Sequence, residues 1–275
     1  MAVNTLISVR DAANQANAIF VDCRFSLADP AAGRAVYEQN HIAGAVYADL
    51  EEDLSGQIIS GETGRHPLPE KNTLVQTVRG FGISNHQPVI AYDADNGAFA
   101  ARLWWLLRHL GHSEVWVLDG GIAAWQAAGL ETSNQAMLTE PSDFEASESL
   151  CQVVDADHVQ DTDLLLDARD PARFRGDQEP IDPVAGHIPG AICVPFANNL
   201  TADVQFKTPA QLKQQFVELG LSAVDPATCY CGSGVTACHN ILAIRHAGLP
   251  EPRLYPGSWS EWITDPTRDV ATGDH

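Results

Sequence analysis

The residues best suited to chemistry surround one cysteine, in Cys231-Gly-Ser-Gly-Val-Thr-Ala237. An apolar β-rich run, Ala227-Thr-Cys-Tyr230, leads into it and a helical pattern leads out. Gly232 and Gly234 permit a tight loop whose backbone N–H groups converge on one point. With Val235 and Thr236 opening the next helix, the helix dipole adds to them, and the segment reads as an anion cradle with Cys231 at its base. Such a setting favours the thiolate, the form of cysteine that attacks. The plainer alternative is a buried cysteine at a strand end, common in α/β cores. A phosphatase or arsenate reductase of the C-x5-R kind would need a guanidinium at the loop's end to hold its oxyanion. Ala237 stands there, which removes that chemistry. Cys229, Cys231 and His239 lack a second pair at metal-ligand spacing, so neither a metal nor a cofactor is expected and the six cysteines read as reduced thiols.

The elements that position this loop occur twice. Phe20-Val-Asp-Cys-Arg24 matches Leu165-Leu-Asp-Ala-Arg169, and His41-Ile-Ala-Gly-Ala-Val46 matches His187-Ile-Pro-Gly-Ala-Ile192. Val89-Ile-Ala-Tyr-Asp93 matches Ala227-Thr-Cys-Tyr-Cys231, and Asp119-Gly-Gly-Ile-Ala-Ala-Trp125 matches Pro256-Gly-Ser-Trp-Ser-Glu-Trp262. The same order at nearly constant offset marks a duplicated domain. The expected division is an N-terminal domain over 1–131, an exposed polar linker over 132–149 and a C-terminal domain over 150–275. Strands are predicted over 18–23, 88–93, 114–119, 164–169 and 227–231, and helices over 99–110 and 236–247. Alternation of buried, non-alternating strands with helices predicts an α/β fold in each half, a parallel sheet flanked by helices. Sites on such sheets form at the carboxyl ends of strands, where Cys231 falls. Asp93 holds the corresponding place in the first copy, which is therefore expected to be catalytically silent and to supply one wall of the cleft. His41 and His187 read as backbone-bonding turn residues. Trp104, Trp105, Trp125, Trp259 and Trp262 read as core or packing residues.

The chain has 275 residues, 45% of them hydrophobic, enough for a sizeable core. Its net charge of −20 argues against nucleic acid and anionic membranes as partners. The first 137 residues carry 8 basic and 15 acidic side chains and the remainder 8 and 21, so the half bearing Cys231 is the more acidic. An anionic substrate would need cations close at hand. The first ten residues do not read as a signal peptide and no apolar run reaches the length of a membrane span, so a cytoplasmic protein is expected.

These motifs resemble the tandem rhodanese-type sulfurtransferases over essentially the whole chain. Asp22-Cys-Arg, Asp167-Ala-Arg, His41-Ile-Ala-Gly, Gly186-His-Ile-Pro-Gly190, Asp119-Gly-Gly and Gly257-Ser-Trp carry the resemblance. The fold it implies is two rhodanese-like domains. The Cys231 loop is similar to that of the family's 3-mercaptopyruvate branch. The thiosulfate branch carries basic residues within the loop, and this loop has none. The resemblance implies that Cys231 takes sulfur from a small anionic donor as a persulfide and passes it to cyanide, a thiol or a thioredoxin-like acceptor. It further implies that loop N–H groups, among them those of Gly232, Gly234, Val235 and Thr236, hold the persulfide. Arg173 would bind the donor carboxylate. His66 and Ser233 would form a relay, completed by Glu51 or Asp49, and Arg65 would add positive potential. A second arginine of the animal enzymes is absent, since Asp177-Gln-Glu-Pro-Ile-Asp182 stands in its place. Thiosulfate as donor is the runner-up. A non-catalytic docking or sulfur-relay module is the alternative of a different class. A monomer is favoured.

Overall fold

The computed structural model describes residues 4–221 and 226–274. The chain divides into two compact units. The first comprises Met1–Gly56, Pro69–Leu150 and Ala202–Phe206, and the second Gln57–Leu68, Cys151–Thr201 and Lys207–His275. Residues 57–68, read from the sequence as part of the first domain, thus group with the second unit.

In chain order the first unit contains β1 (Leu6–Ile7), α1 (Val9–Ala13), β2 (Ile19–Asp22), α2 (Ala31–Gln39), β3 (His41–Ile42), β4 (Val46–Tyr47), α3 (Lys71–Gly80), β5 (Val89–Tyr92), α4 (Ala100–His109), β6 (Val115–Leu118), α5 (Gly121–Ala127) and β7 (Thr132–Ser133). A five-stranded parallel sheet has the order β1-β6-β5-β2-β4, and β3 and β7 form a separate antiparallel pair. Central β5, Val-Ile-Ala-Tyr, is buried at every residue, as a strand with both faces covered must be. Helix α4 is buried from Ala100 through Arg108. The polar stretch after β7 does not stand free as a linker would. Phe144 is buried, its carbonyl accepts from Arg79 Nε at 2.9 Å, and Thr139 Oγ1 donates to the Gly80 carbonyl at 2.6 Å. Backbone N–H groups of Ser147 and Leu150 bond to Leu110 and Arg108.

The second unit contains β8 (Leu165–Asp167), α6 (Pro171–Arg175), β9 (Ala191–Cys193), a 3-10 turn (Phe196–Asn199), α7 (Pro209–Glu218), β10 (Thr228–Tyr230), α8 (Thr236–His246), β11 (Arg253–Leu254) and α9 (Ser258–Trp262). Its four strands run parallel in the order β11-β10-β8-β9. Helix α7 starts on a capping box between Thr208 and Gln211, with proline at its first position. Its core includes Phe174, Ile188, Tyr230, Tyr255, Trp259 and Trp262. Segment 57–68 docks through Gly64, where an added Cβ would lie 2.5 Å from the Gly257 carbonyl oxygen. Arg65 N–H completes the contact by donating to Ser260 Oγ at 3.0 Å.

The duplication extends to individual hydrogen bonds. Arg24 grips Asp22 through two guanidinium nitrogens and donates to the Asn40 carbonyl, while Arg169 grips Asp167 in the same way and donates to the Gly186 carbonyl. Tyr92 and Tyr230 hydroxyls accept the N–H groups of Ile42 and Ile188, each at 3.2 Å. His41 Nδ1 donates to the Tyr37 carbonyl at 2.6 Å, and His187 Nδ1 to that of Phe174 at 2.8 Å. Both imidazoles also stack on an aromatic ring, Tyr37 and Phe174 respectively. The sequence motifs are therefore structural latches, and the position following each tyrosine, Asp93 or Cys231, is where the copies part ways.

Candidate active site

Cys231 follows β10 directly, at its carboxyl end, with 2% of its surface exposed. The turn entering α9 clamps the loop that follows. Cys231 N–H donates to Ser258 Oγ at 3.0 Å, the Cys231 carbonyl accepts from Trp259 N–H, and the Gly232 carbonyl accepts from Ser260 N–H, both at 3.0 Å. A trans peptide sets each carbonyl antiparallel to the next N–H. The N–H groups of Gly232 and Ser233 therefore point away from the clamp. Gly234 takes φ +77, and its Cβ position is closed by the Pro256 carbonyl oxygen at 2.3 Å. Val235 caps α8 without a side-chain bond and Thr236 begins the helix. Burial pushes the neighbouring Cys229 thiol well up, which suits a core residue, and it pushes Cys193 up to about 11.

Two groups of side chains face this loop. Ser233 and His66 are both buried, with Ser233 Oγ 2.8 Å from His66 Nδ1. Over Gly232 lie two guanidiniums: a Cβ there would stand 3.0 Å from Arg65 Nη2 and 3.5 Å from Arg173 Nη1. Neither cation is alone. Arg173 bonds Glu179 through Nε at 3.0 Å and Asp182 through Nη2 at 2.9 Å, and Arg65 Nη1 pairs with the other oxygen of Asp182. Burial raises the Glu179 carboxyl, but hydrogen bonds from Arg173 and from the N–H groups of Ile181 and Asp182 outweigh it and hold it below its ordinary value. Asp182 goes the other way. Burial lifts it, with the Glu179 charge adding to the rise, and the attraction of Arg65 and Arg173 offsets this only in part.

The first unit shows what such a loop does when an anion is built in. Asp93 Oδ1 accepts from Gly97 N–H at 2.9 Å, and Oδ2 from the N–H groups of Phe99 and Ala100 at 2.9 and 3.3 Å. A side-chain carboxylate sits where converging N–H groups would otherwise receive an external anion. Burial still raises the Asp93 carboxyl from its ordinary value, with those three N–H bonds acting against it.

Of the residues singled out from the sequence, Cys231, Gly232, Ser233, Gly234, Arg65, His66 and Arg173 come together in the second unit. Glu51 and Asp49 belong to the first unit, where the buried Asp49 accepts the N–H groups of Glu51 and Glu52 and Glu51 is exposed. Three contributors escape the sequence reading. Ser258, buried at φ +56, accepts the Cys231 N–H, and the Gly257-Ser-Trp motif is its signal in the sequence. Glu179 and Asp182 lie in the stretch that reads only as a missing arginine. Among the described residues no group of three or more His, Cys, Asp or Glu side chains is placed to hold a metal ion, and no helix is long and apolar enough to cross a membrane.

The model of the rhodanese-like domain family matches residues 5–128 and again 152–265. A Pseudomonas aeruginosa protein named "Probable 3-mercaptopyruvate sulfurtransferase" is 52% identical over 264 residues, 93% of each chain. A Mycobacterium tuberculosis protein, provisionally named a thiosulfate sulfurtransferase, is 43% identical over 92% of this chain and 90% of its own. Among solved structures, 3-mercaptopyruvate sulfurtransferase from Leishmania major superposes with a TM-score of 0.84 at 31% identity, covering 94% of this chain and 74% of that one. Paired latches, paired parallel sheets and these matches agree: the chain belongs to the rhodanese-like family, in its two-domain sulfurtransferase form.

Proposed function

We propose that this sulfurtransferase takes sulfur from 3-mercaptopyruvate and carries it as a persulfide on Cys231. The observation that carries the reading is the loop itself: a cysteine at a strand end, N–H groups turned away from the clamp, and two guanidiniums over Gly232. Cys231 thiolate attacks the donor's sulfur and the carbon–sulfur bond breaks. Its electron pair passes into pyruvate enolate, and Cys231 keeps the sulfur as a persulfide anion. The proton lost from the donor's thiol, relayed through Ser233 and His66 to the enolate carbon, completes pyruvate, and the loop N–H groups of Gly232, Gly234, Val235 and Thr236 stabilise the persulfide anion. The acceptor, a thiol, cyanide or a thioredoxin-like protein, then attacks the outer sulfur. The sulfur–sulfur bond breaks and its pair returns to Cys231, which gives ping-pong kinetics. Arg173 Nη1 and Arg65 Nη2 supply the positive charge for the donor carboxylate.

The absence of any cation within the loop favours mercaptopyruvate over the compact thiosulfate dianion. Thiosulfate remains the second reading, favoured by the name of the 43% identical relative. Intact-mass measurement after donor exposure tests the mechanism. Wild-type protein should gain about 32 Da, one sulfur atom on the nucleophilic cysteine, and Cys231→Ser should gain nothing. Turnover by a folded Cys231→Ser variant would sink the mechanism, and kcat/KM for the two donors decides between them.

A further inference from the structure

Glu179 and Asp182 are buried carboxylates placed where donor charge must be received. Asp182 has 8% of its surface exposed and uses both oxygens, one on Arg65 and one on Arg173. Glu179 takes the Nε edge of Arg173 and also approaches Arg169 Nη1 at 3.6 Å. Arg169 is itself committed to Asp167. Three arginines and three carboxylates therefore cancel around the loop, and Arg65 Nη2 with Nη1 and Nη2 of Arg173 turns toward Gly232, the last while also bonded to Asp182. Ile181, between the two acids, is 44% exposed and adds no charge.

We propose that Asp182 is a specificity-determining residue: by tying Arg65 to Arg173 it cancels much of their field over Gly232, so that the site takes a monoanionic donor in preference to a dianionic one. The inference rests on the proposed persulfide chemistry and deepens it. The physical point is that a fixed carboxylate opposes a ligand in proportion to that ligand's charge. A monoanion meets two guanidinium faces with modest opposition. A dianion meets the same faces and twice the repulsion from Asp182, in a setting that screens charge poorly. Asp182 acts through the arginines and touches neither the nucleophile nor the reacting sulfur.

The test compares wild type, Asp182→Asn and Asp182→Glu at fixed ionic strength, reading kcat/KM for 3-mercaptopyruvate and for thiosulfate with cyanide as acceptor. Asparagine keeps the shape and one acceptor oxygen while removing the charge. The ratio of thiosulfate to mercaptopyruvate kcat/KM should rise at least about tenfold, mostly through KM, because the fixed charge that opposed the dianion's extra charge is gone. Asp182→Glu, which restores the charge, should return the ratio to within about twofold of wild type. A ratio that Asp182→Asn leaves unmoved, or equal losses with both donors, overturns the inference and makes Asp182 a brace for the arginines. If Asp182→Asn does not fold, Glu179→Gln removes a charge from the same cluster and must move the ratio in the same direction; a fixed ratio there overturns it equally. Wild-type protein that turns over neither donor overturns the proposed function and this inference together. Normal turnover with a fixed ratio overturns this inference alone.

Discussion

Replacing Gly234 by alanine separates the cost of shaping the loop from the cost of binding at it. The backbone there has φ +77, and an alanine Cβ would meet the Pro256 carbonyl oxygen at 2.3 Å, with Pro256 C and Cα at 3.0 and 3.1 Å. All three are backbone atoms, so no side chain can swing aside. Left-handed backbone costs an L-residue about 1–2 kcal/mol. Relieving the contact must move the 255–260 turn against Cys231 and Gly232, straining two backbone hydrogen bonds worth about 1 kcal/mol each. The sum is about 3–4 kcal/mol, or a loss of roughly 10 °C in melting temperature for a chain of this size. Gly232→Ala is the matched control. Gly232 is not among the positive-φ residues, and its Cβ would meet chiefly the ends of Arg65 and Arg173, which can retreat. That variant should keep its stability to within about 1 kcal/mol and instead raise KM by displacing the guanidiniums. Thermal melts, urea titrations and steady-state kinetics on both variants read the two effects separately. Gly234→Ala protein that melts with wild type and turns over normally would refute the argument that this contact shapes the site.

Three further outcomes follow from the geometry. Ser233→Ala and His66→Asn should each lower kcat with 3-mercaptopyruvate by about 100-fold. They should barely affect persulfide formation from thiosulfate, whose leaving sulfite needs no proton; equal losses with both donors in single-turnover assays would remove the relay. Arg169→Leu should cost about 3–5 kcal/mol in urea unfolding, because it strands the buried Asp167 carboxylate; a variant as stable as wild type would contradict this. Burial holds His187 below the usual imidazole value, although its bond to the Phe174 carbonyl acts against this. As pH falls below about 6.5 the unfolded chain takes up the proton first, so stability drops by up to about 1.4 kcal/mol per pH unit from this group. His187→Gln should therefore narrow its stability gap to wild type between pH 7.5 and 5.5, and a constant gap in urea titrations would show that His187 contributes nothing to the pH dependence.

Much of the fold was legible because parallel strands buried on both faces announce themselves as apolar runs. The strands over 19–22, 89–92 and 115–118 fall within one residue of the boundaries their hydrophobic runs predict. The Cys231 loop was legible for a related reason: strand, cysteine, glycines and helix start follow one another in the chain. Pairings across the chain were not. β3 and β7 have two residues each, too few to show any periodicity. The polar stretch over 132–149 has the composition of a connector, and only Phe144 hints that it packs. Segment 57–68 joins the second unit through a close approach at Gly64, which local sequence cannot report. Asp182 and Glu179 are not legible in the sequence, where their stretch shows only that an arginine is absent. What the segment supplies is opposite charge, and that emerges only once Arg65 and Arg173 are brought beside it.

The carboxylate seated in the first unit's loop makes that loop resistant to acquiring a nucleophile. Three backbone donors there are already satisfied by Asp93. Putting a cysteine at position 93 would exchange a strong acceptor for a weak one and leave buried N–H groups wanting, at a cost of about 1–3 kcal/mol for each one stranded. The new thiolate would also have Asp95 two residues away rather than an arginine pair. Building a working centre on this loop therefore asks for several changes at once, each unfavourable by itself. The asymmetry between the two halves is held in place by folding energy, as a ratchet is held by its tooth.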